Sequence, residues 1–371
     1  MKFNCAQQDL LSALNFIINA VAVKPQTQVL GGIYLKAEGD TLEIQATDYS
    51  IGMKGEILAD AIEPGEIVVL GKKFFEVVRN MPADTLSINY DGSNSLLEVA
   101  CAKIKFSINT LNTGDFPKIA VQNAMFSFKI NAADLKELIT KSIFACATEE
   151  SQPIYTGCLV ESDGEKISLA ATNKHRLAIA KGVLAEPSEK FRFVIPRDAL
   201  RTIAEMLTNE KDDELIKVDY SDRKVAFTIG NIYITARLID GDYPDYNRVI
   251  PSAPETFLTM NVNELRRGIE RASIIAREDF NKKTIFNVTK ENGVEISANS
   301  VEYGSIEDKV EFINLEGPEV KLAFNYIYFI DALKLIRTET CRIALKGYFD
   351  PMDLREEKSD DFIYVLTPLR V

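Results

Sequence analysis

The sequence predicts an α+β protein in which one structural unit of roughly 120 residues is written three times. Three observations predict this. Each third opens on a short alternating strand, a polar cap and apolar residues spaced by three and four, which is strand followed by amphipathic helix. Each third then holds a second strand-then-helix motif at a similar distance. Between the two lie matched strands that alternate with a period of two, so one face of each is buried.

The first opening runs from Phe3-Asn4-Cys5 to Asp9-Leu10-Leu11-Ser12-Ala13-Leu14. Its counterparts are Phe128-Lys129-Ile130 leading to Asp134-Leu135-Lys136-Glu137-Leu138-Ile139, and Leu258-Thr259-Met260 leading to Glu264-Leu265-Arg266-Arg267-Gly268-Ile269. The first two helices are read over 9–20 and 134–145. The alternating strands follow as Leu42-Glu43-Ile44-Gln45-Ala46-Thr47, Ile167-Ser168-Leu169-Ala170-Ala171-Thr172 and Val294-Glu295-Ile296-Ser297-Ala298-Asn299. The second strand-helix motifs are Ile67-Val68-Val69 before Lys73-Phe74-Phe75-Glu76-Val77-Val78, Phe193-Val194-Ile195 before Asp198-Ala199-Leu200-Arg201-Thr202-Ile203, and Leu322-Ala323-Phe324 before a helix over 330–336. Phe106-Ser107-Ile108-Asn109-Thr110-Leu111 is echoed by Tyr233-Ile234-Thr235-Ala236-Arg237-Leu238. Patterning lapses near 120–125 and 252–255, where Pro251 and Pro254 appear, giving domains 1–122, 123–253 and 254–371. A stacked solenoid would repeat every ~20–50 residues, far more often than this.

A chain of 371 residues suits two or three domains, and 46% apolar with 26% charged residues is the balance of a soluble globular protein. No apolar run reaches the roughly 18 residues of a membrane span, so no membrane partner is expected. Residues 1–8 carry neither a basic nor an apolar signal segment. Five cysteines without paired spacing point to reduced thiols and a cytoplasmic protein. Asn287-Val288-Thr289 matches a glycosylation sequon, read as chance in that setting. The net charge of −12 disfavours nucleic acid for the molecule as a whole, yet leaves room for a locally basic surface.

Enzyme chemistry finds little support. His175 is the single histidine, so histidine metal clusters and relays have nothing to build on. Residues 65–72 fail as a phosphate loop: Gly65 and Gly71 are one residue too far apart, and Lys73 stands where Ser or Thr is needed. The pairs Glu149 and Glu150, and Asp360 and Asp361, are adjacent carboxylates of the kind that face solvent. No dinucleotide turn and no nucleophile elbow occurs. A binding scaffold without metal or cofactor is the expectation, and a three-domain hydrolase or transferase of unrecognised site is the alternative.

The run Ala171-Thr172-Asn173-Lys174-His175-Arg176-Leu177-Ala178 resembles the Ala-Thr-Asp-Gly-His-Arg-Leu-Ala signature of the bacterial DNA polymerase III beta subunits, the sliding clamps. Tyr243-Pro244-Asp245-Tyr246-Asn247-Arg248-Val249-Ile250-Pro251 is similar to that family's Phe-Pro-Asp-Tyr-x-Arg-Val-Leu-Pro. The ending Tyr364-Val365-Leu366-Thr367-Pro368-Leu369-Arg370-Val371 resembles its terminal Met-Pro-Met-Arg-Leu. Met1-Lys2-Phe3, and Arg197 after Pro196, fit too, and the likeness spans the whole chain. It departs at Asn173-Lys174, where the family often has Asp-Gly, and at Thr367 and Leu369, where it has methionines.

The resemblance implies a DNA polymerase processivity factor: a head-to-tail homodimeric ring with helices lining a hole and antiparallel sheets outside. Such a ring encircles duplex DNA without reading its sequence. Its partners are the replicative polymerase catalytic subunit, the clamp loader and repair proteins, held through short linear motifs. A clamp paralogue with a specialised repair or inhibitor-resistance role fits the same resemblance. The implied peptide pocket comprises Thr172, His175, Arg176 and Leu177, then Pro244, Arg248 and Val249, then Val365, Leu366, Pro368, Leu369 and Arg370, with Tyr155, Phe280, Asn325, Tyr328 and Phe349 as further walls. Deleting 366–371 is expected to abolish peptide binding and spare the dimer. Lys24, Lys72, Lys73 and Arg197 match positions that present basic groups to DNA, and Arg266, Arg267 and Arg271 share a helix that would face the hole. The dimer seam would set Phe106 and Ile108 on an edge strand against the partner's Ile274 and Ile275, ringed by Lys72, Lys73 or Arg79 against Glu302, Glu307 or Asp308.

Overall fold

Each strand-then-helix motif folds as one. In this computed structural model, which describes residues 1–121, 123–149 and 151–370, the helices are α1 (Gln7–Ile17), α2 (Gly71–Asn80), α3 (Ala132–Ser142), α4 (Arg197–Met206), α5 (Val262–Ala276) and α6 (Tyr326–Leu333). Glu150 and the terminal Val371 therefore lie outside the described residues. α1 and α3 begin earlier than the pattern suggested, and 18–20 and 143–145 tighten into 3₁₀ turns. The reason is terminal bonding: the N–H of Val21 reaches back to Ile18, and that of Cys146 to Ile143, which satisfies carbonyls the α-helix leaves open. α6 starts four residues before the expected 330, because Asn325 accepts the N–H of Ile327 at 3.0 Å and caps the helix there.

The chain divides into two compact units, Met1–Ala133 with Thr202–Leu238, and Asp134–Arg201 with Ile239–Val371. In the first, the described strands form one antiparallel order of thirteen running from Phe126–Asn131 to Asp60–Glu63. α1 sinks Leu10, Leu14 and Ile17 into its core and α2 adds Phe74 and Val78. Thr41–Thr47 turns Leu42, Ile44 and Ala46 inward, as its alternation required. Ile51–Leu58 pairs with Ile232–Arg237, so a strand of the first repeat hydrogen-bonds the last strand of the second.

The second unit repeats that relation one step on: Arg176–Val183 pairs with Phe362–Leu366. Its described strands form antiparallel sheets of nine and four. α5 buries Leu265, Ile269 and Ala272, and a Cβ on Gly268 would lie 2.7 Å from Val310, so this helix rests directly on the sheet. Lys141 of α3 is buried, held by Glu137 at 2.8 Å and Glu356 at 3.3 Å, and so is no outward cation. Among the described residues no helix is long and apolar enough to cross a membrane.

Candidate peptide-binding groove

The site begins with a turn that the short polar residues of 172–176 dictate. Thr172 Oγ1 donates to the carbonyl of Arg176 at 2.7 Å and accepts the N–H of Lys174 at 3.1 Å. Asn173 Oδ1 accepts the N–H groups of His175 and Arg176, each at 3.1 Å. These bonds bend the chain so tightly that Lys174 adopts φ +74°, the left-handed conformation that favours glycine. Its Nζ lies 5.4 Å from the Tyr155 ring centroid, and His175 projects into solvent.

Arg176 turns inward. One guanidinium nitrogen meets Asp331 on α6 at 2.8 Å, the other donates to the carbonyl of Phe144 at 2.6 Å, and the group stands 4.3 Å from the Tyr328 ring centroid. A strand end, α6 and the turn after α3 are thereby tied to one charge. The buried Nε has no protein partner among the described residues. The tail is fastened alongside: Thr367 N–H donates to the carbonyl of His175 at 3.0 Å and Leu369 N–H to that of Ala323 at 2.7 Å. The groove in front has a volume of about 420 Å³, walled by Tyr155, Lys174, His175, Arg176 and Tyr328, with Cys146 behind. Burial pushes the Cys146 thiol up to about 12, so it is a protonated wall and no nucleophile. The Tyr364 hydroxyl is likewise pushed up by burial and donates to the carbonyl of Tyr328 at 2.7 Å. A cleft with aromatic sides, Lys174 at its mouth and backbone groups along a strand end suits an extended peptide.

Not every expected wall takes part. Leu177, Val365 and Leu366 are core residues, Leu366 being 0% exposed, because strand alternation and pairing on both sides of 362–366 turn them inward. They support the groove without facing it, so a deletion beginning at Leu366 would cut the core. Asn325 is engaged as the α6 cap. Pro368 and Leu369 are half-buried and Arg370 is exposed. Pro244, Arg248 and Val249 stand at the surface outside the groove lining, where Asp245 caps the turn and holds Arg248 at 3.1 Å. The neighbouring Asn247 and Arg248 keep the Asp245 carboxyl below its ordinary range. Phe280 and Phe349 also lie outside the lining, both exposed. Sequence reasoning missed Asp331, whose one signal was a carboxylate in an otherwise apolar helix.

The basic set is mixed. Lys24, Lys72 and Arg267 are exposed and make no ion pair among the described residues, whereas Lys73 is held by Glu76 at 2.8 Å. Arg197 leans on Asp198 at 3.2 Å, and Arg266 on Asn263 at 3.3 Å. Arg271 is bound to Asp308 of its own chain at 2.6 Å, which removes both from their expected free roles at DNA and seam. Phe106 is exposed on Ile104–Leu111, but Ile108 is only 6% exposed and packs inside its own unit. Ile274 is exposed and Ile275 half-buried, with Glu302 and Glu307 open to solvent.

Comparison with known proteins matches three consecutive models of the DNA polymerase III beta subunit: the N-terminal domain over residues 1–120, the central domain over 129–245 and the C-terminal domain over 247–370. The beta sliding clamps of Bacillus subtilis strain 168 and Escherichia coli strain K12 are each 27% identical, with 100% of both chains covered. The crystal structure of the Bacillus subtilis sliding clamp superposes with a TM-score of 0.95 at 27% identity, covering 100% of this chain and 99% of that one. The chain belongs to the DNA polymerase III beta subunit family, the sliding clamps of DNA replication.

Proposed function

We propose that two copies of this chain close head to tail around duplex DNA and tether the replicative polymerase, the clamp loader and repair proteins through peptides seated in the 172–176 groove. On this reading the chain has no catalytic role of its own, works in the cytoplasm, and carries its three domains over 1–122, 123–253 and 254–371. The observation that carries it is the strand bookkeeping of the repeats. Ile51–Leu58 takes the last strand of the second repeat, and Arg176–Val183 takes the last strand of the third. The corresponding strand of the third repeat, Gly304–Val310, is a sheet edge. The last strand of the first repeat, Ile104–Leu111, pairs on one side with Leu96–Cys101, and on the other only through Thr110 and Leu111. One open edge of each kind per chain is what a closing heterologous interface requires.

Lys24, Lys72 and Arg267 supply sparse phosphate contacts, which hold a duplex without fixing its register. The test is to load the protein onto nicked circular duplex with a clamp loader and ATP, then filter by size. Coelution with the circle, lost when the DNA is linearised, is the expected result. Retention on the linear form, or none on the circle, would overturn the reading.

A further inference from the structure

The first repeat contains a second groove on the same scaffold. In Thr47-Asp48-Tyr49-Ser50-Ile51, Thr47 Oγ1 donates to the carbonyl of Ile51 at 2.8 Å and accepts the N–H of Tyr49 at 3.0 Å. Asp48 Oδ1 accepts the N–H groups of Ser50 at 2.9 Å and Ile51 at 2.8 Å. These are the bonds of Thr172 and Asn173, one repeat earlier. Tyr49 has φ +74°, the same value as Lys174. Arg237 N–H donates to the carbonyl of Ser50 at 2.8 Å, as Thr367 does to His175. The cavity in front of this turn has a volume of about 450 Å³, close to the 420 Å³ of the second-repeat groove.

Its chemistry is distinct. Val23 is 75% and Tyr49 59% exposed, and Leu30 and Pro25 complete an apolar wall. Lys24 and Arg237 flank the cavity and make no ion pair among the described residues. Among the described residues Asp48 is the one carboxylate in the lining, and it commits Oδ1 to three bonds within the turn. An apolar wall between two unpaired cations complements an extended chain that alternates apolar and acidic side chains. Single-stranded nucleic acid would want a row of stacked rings, and among the described residues Tyr49 is the only aromatic one lining this cavity.

We infer that this groove is a second docking site, which takes a short acidic and apolar linear peptide of a partner protein. The inference rests on the reading of the second-repeat groove as a peptide site. Lys24 then serves this groove in addition to the phosphate contacts proposed for it above.

The test is a fluorescence anisotropy titration of the full chain with a fluorescein-labelled hexapeptide of alternating leucine and glutamate. Three proteins are compared: wild type, a Lys24→Glu/Arg237→Glu variant and a Tyr155→Ala/Lys174→Glu variant. All four positions are exposed or half-buried, and thermal melting checks that each variant folds. The wild type is expected to bind peptide at both grooves. Lys24→Glu/Arg237→Glu should weaken one site about tenfold and leave the other unchanged. A titration of that variant superimposable on wild type would sink the second site, even with the 172–176 groove intact. The inference also fails if the hexapeptide binds only the 172–176 groove while a 12-nucleotide oligothymidylate binds in a manner abolished by Lys24→Glu/Arg237→Glu. Failure of the 172–176 reading is separate: Tyr155→Ala/Lys174→Glu would then leave both binding events unchanged.

Discussion

Lys174 shows how a residue can be legible in the sequence while its consequence is not. A long cation stands where the signature that residues 171–178 resemble has glycine. Only the backbone shows why glycine suits the place: the bonds from Thr172 and Asn173 force a left-handed φ. A side chain there costs about 1–2 kcal/mol, against which glycine loses some unfolded-state entropy. Lys174→Gly should therefore raise stability by about 0.5–1 kcal/mol, read as a higher urea midpoint, and a lower midpoint would refute the strain. Arg176 was legible as a motif residue, but its work was not. Asp331 and Phe144 are far from it in sequence, and no local pattern announces that a charge will be folded under the groove.

For elements, period-two alternation revealed the strands well, and spacing by three and four revealed the helices. The ends were less clear because caps decide them. Asn325 set the start of α6, while the apolar pattern pointed further on. The last strand, Phe362–Leu366, carries the sharpest consequence. Its final residue is wholly buried and paired, whereas the residues at 367–370 run beyond it, Thr367 bonded to His175 and Leu369 to Ala323. Removing 367–371 should leave the melting temperature nearly unchanged and weaken peptide binding at least tenfold by fluorescence titration. Removing Leu366 as well should cost about 2–5 kcal/mol, since its side chain leaves a cavity in a packed core. Equal melting of the two truncations would show that the strand end does not support the fold.

At the scale of the whole molecule, the triplication was plain from the residues. The exchange of strands between repeats was not, because the register of one repeat against the next is written in no local periodicity. The seam inherits this. The resemblance set Ile108 beside Phe106 at the seam, yet Ile108 is 6% exposed within its own unit while Phe106, two residues earlier on the same strand, is 42% exposed. Phe106 and Ile274 remain exposed, so a Phe106→Asp/Ile274→Asp variant tests the seam with little risk to folding. Light scattering should report the mass of a single chain for this variant and twice that for wild type. A surviving dimer would place the interface elsewhere.

The strand pairing between repeats also bears on how a closed assembly would open. In a two-chain ring, the joints at 51–58 with 232–237 and at 176–183 with 362–366 are leashed by continuous polypeptide, which keeps a parted strand at high local concentration and returns it quickly. A head-to-tail ring of two chains has two joints between chains, and neither is leashed by continuous polypeptide. Dilution and a loader's mechanical work would therefore act at those joints. The ring's gate would lie where the covalent chain is absent, and the lifetime of the clamp on DNA would be set by whichever of the two unleashed pairs of edges parts first.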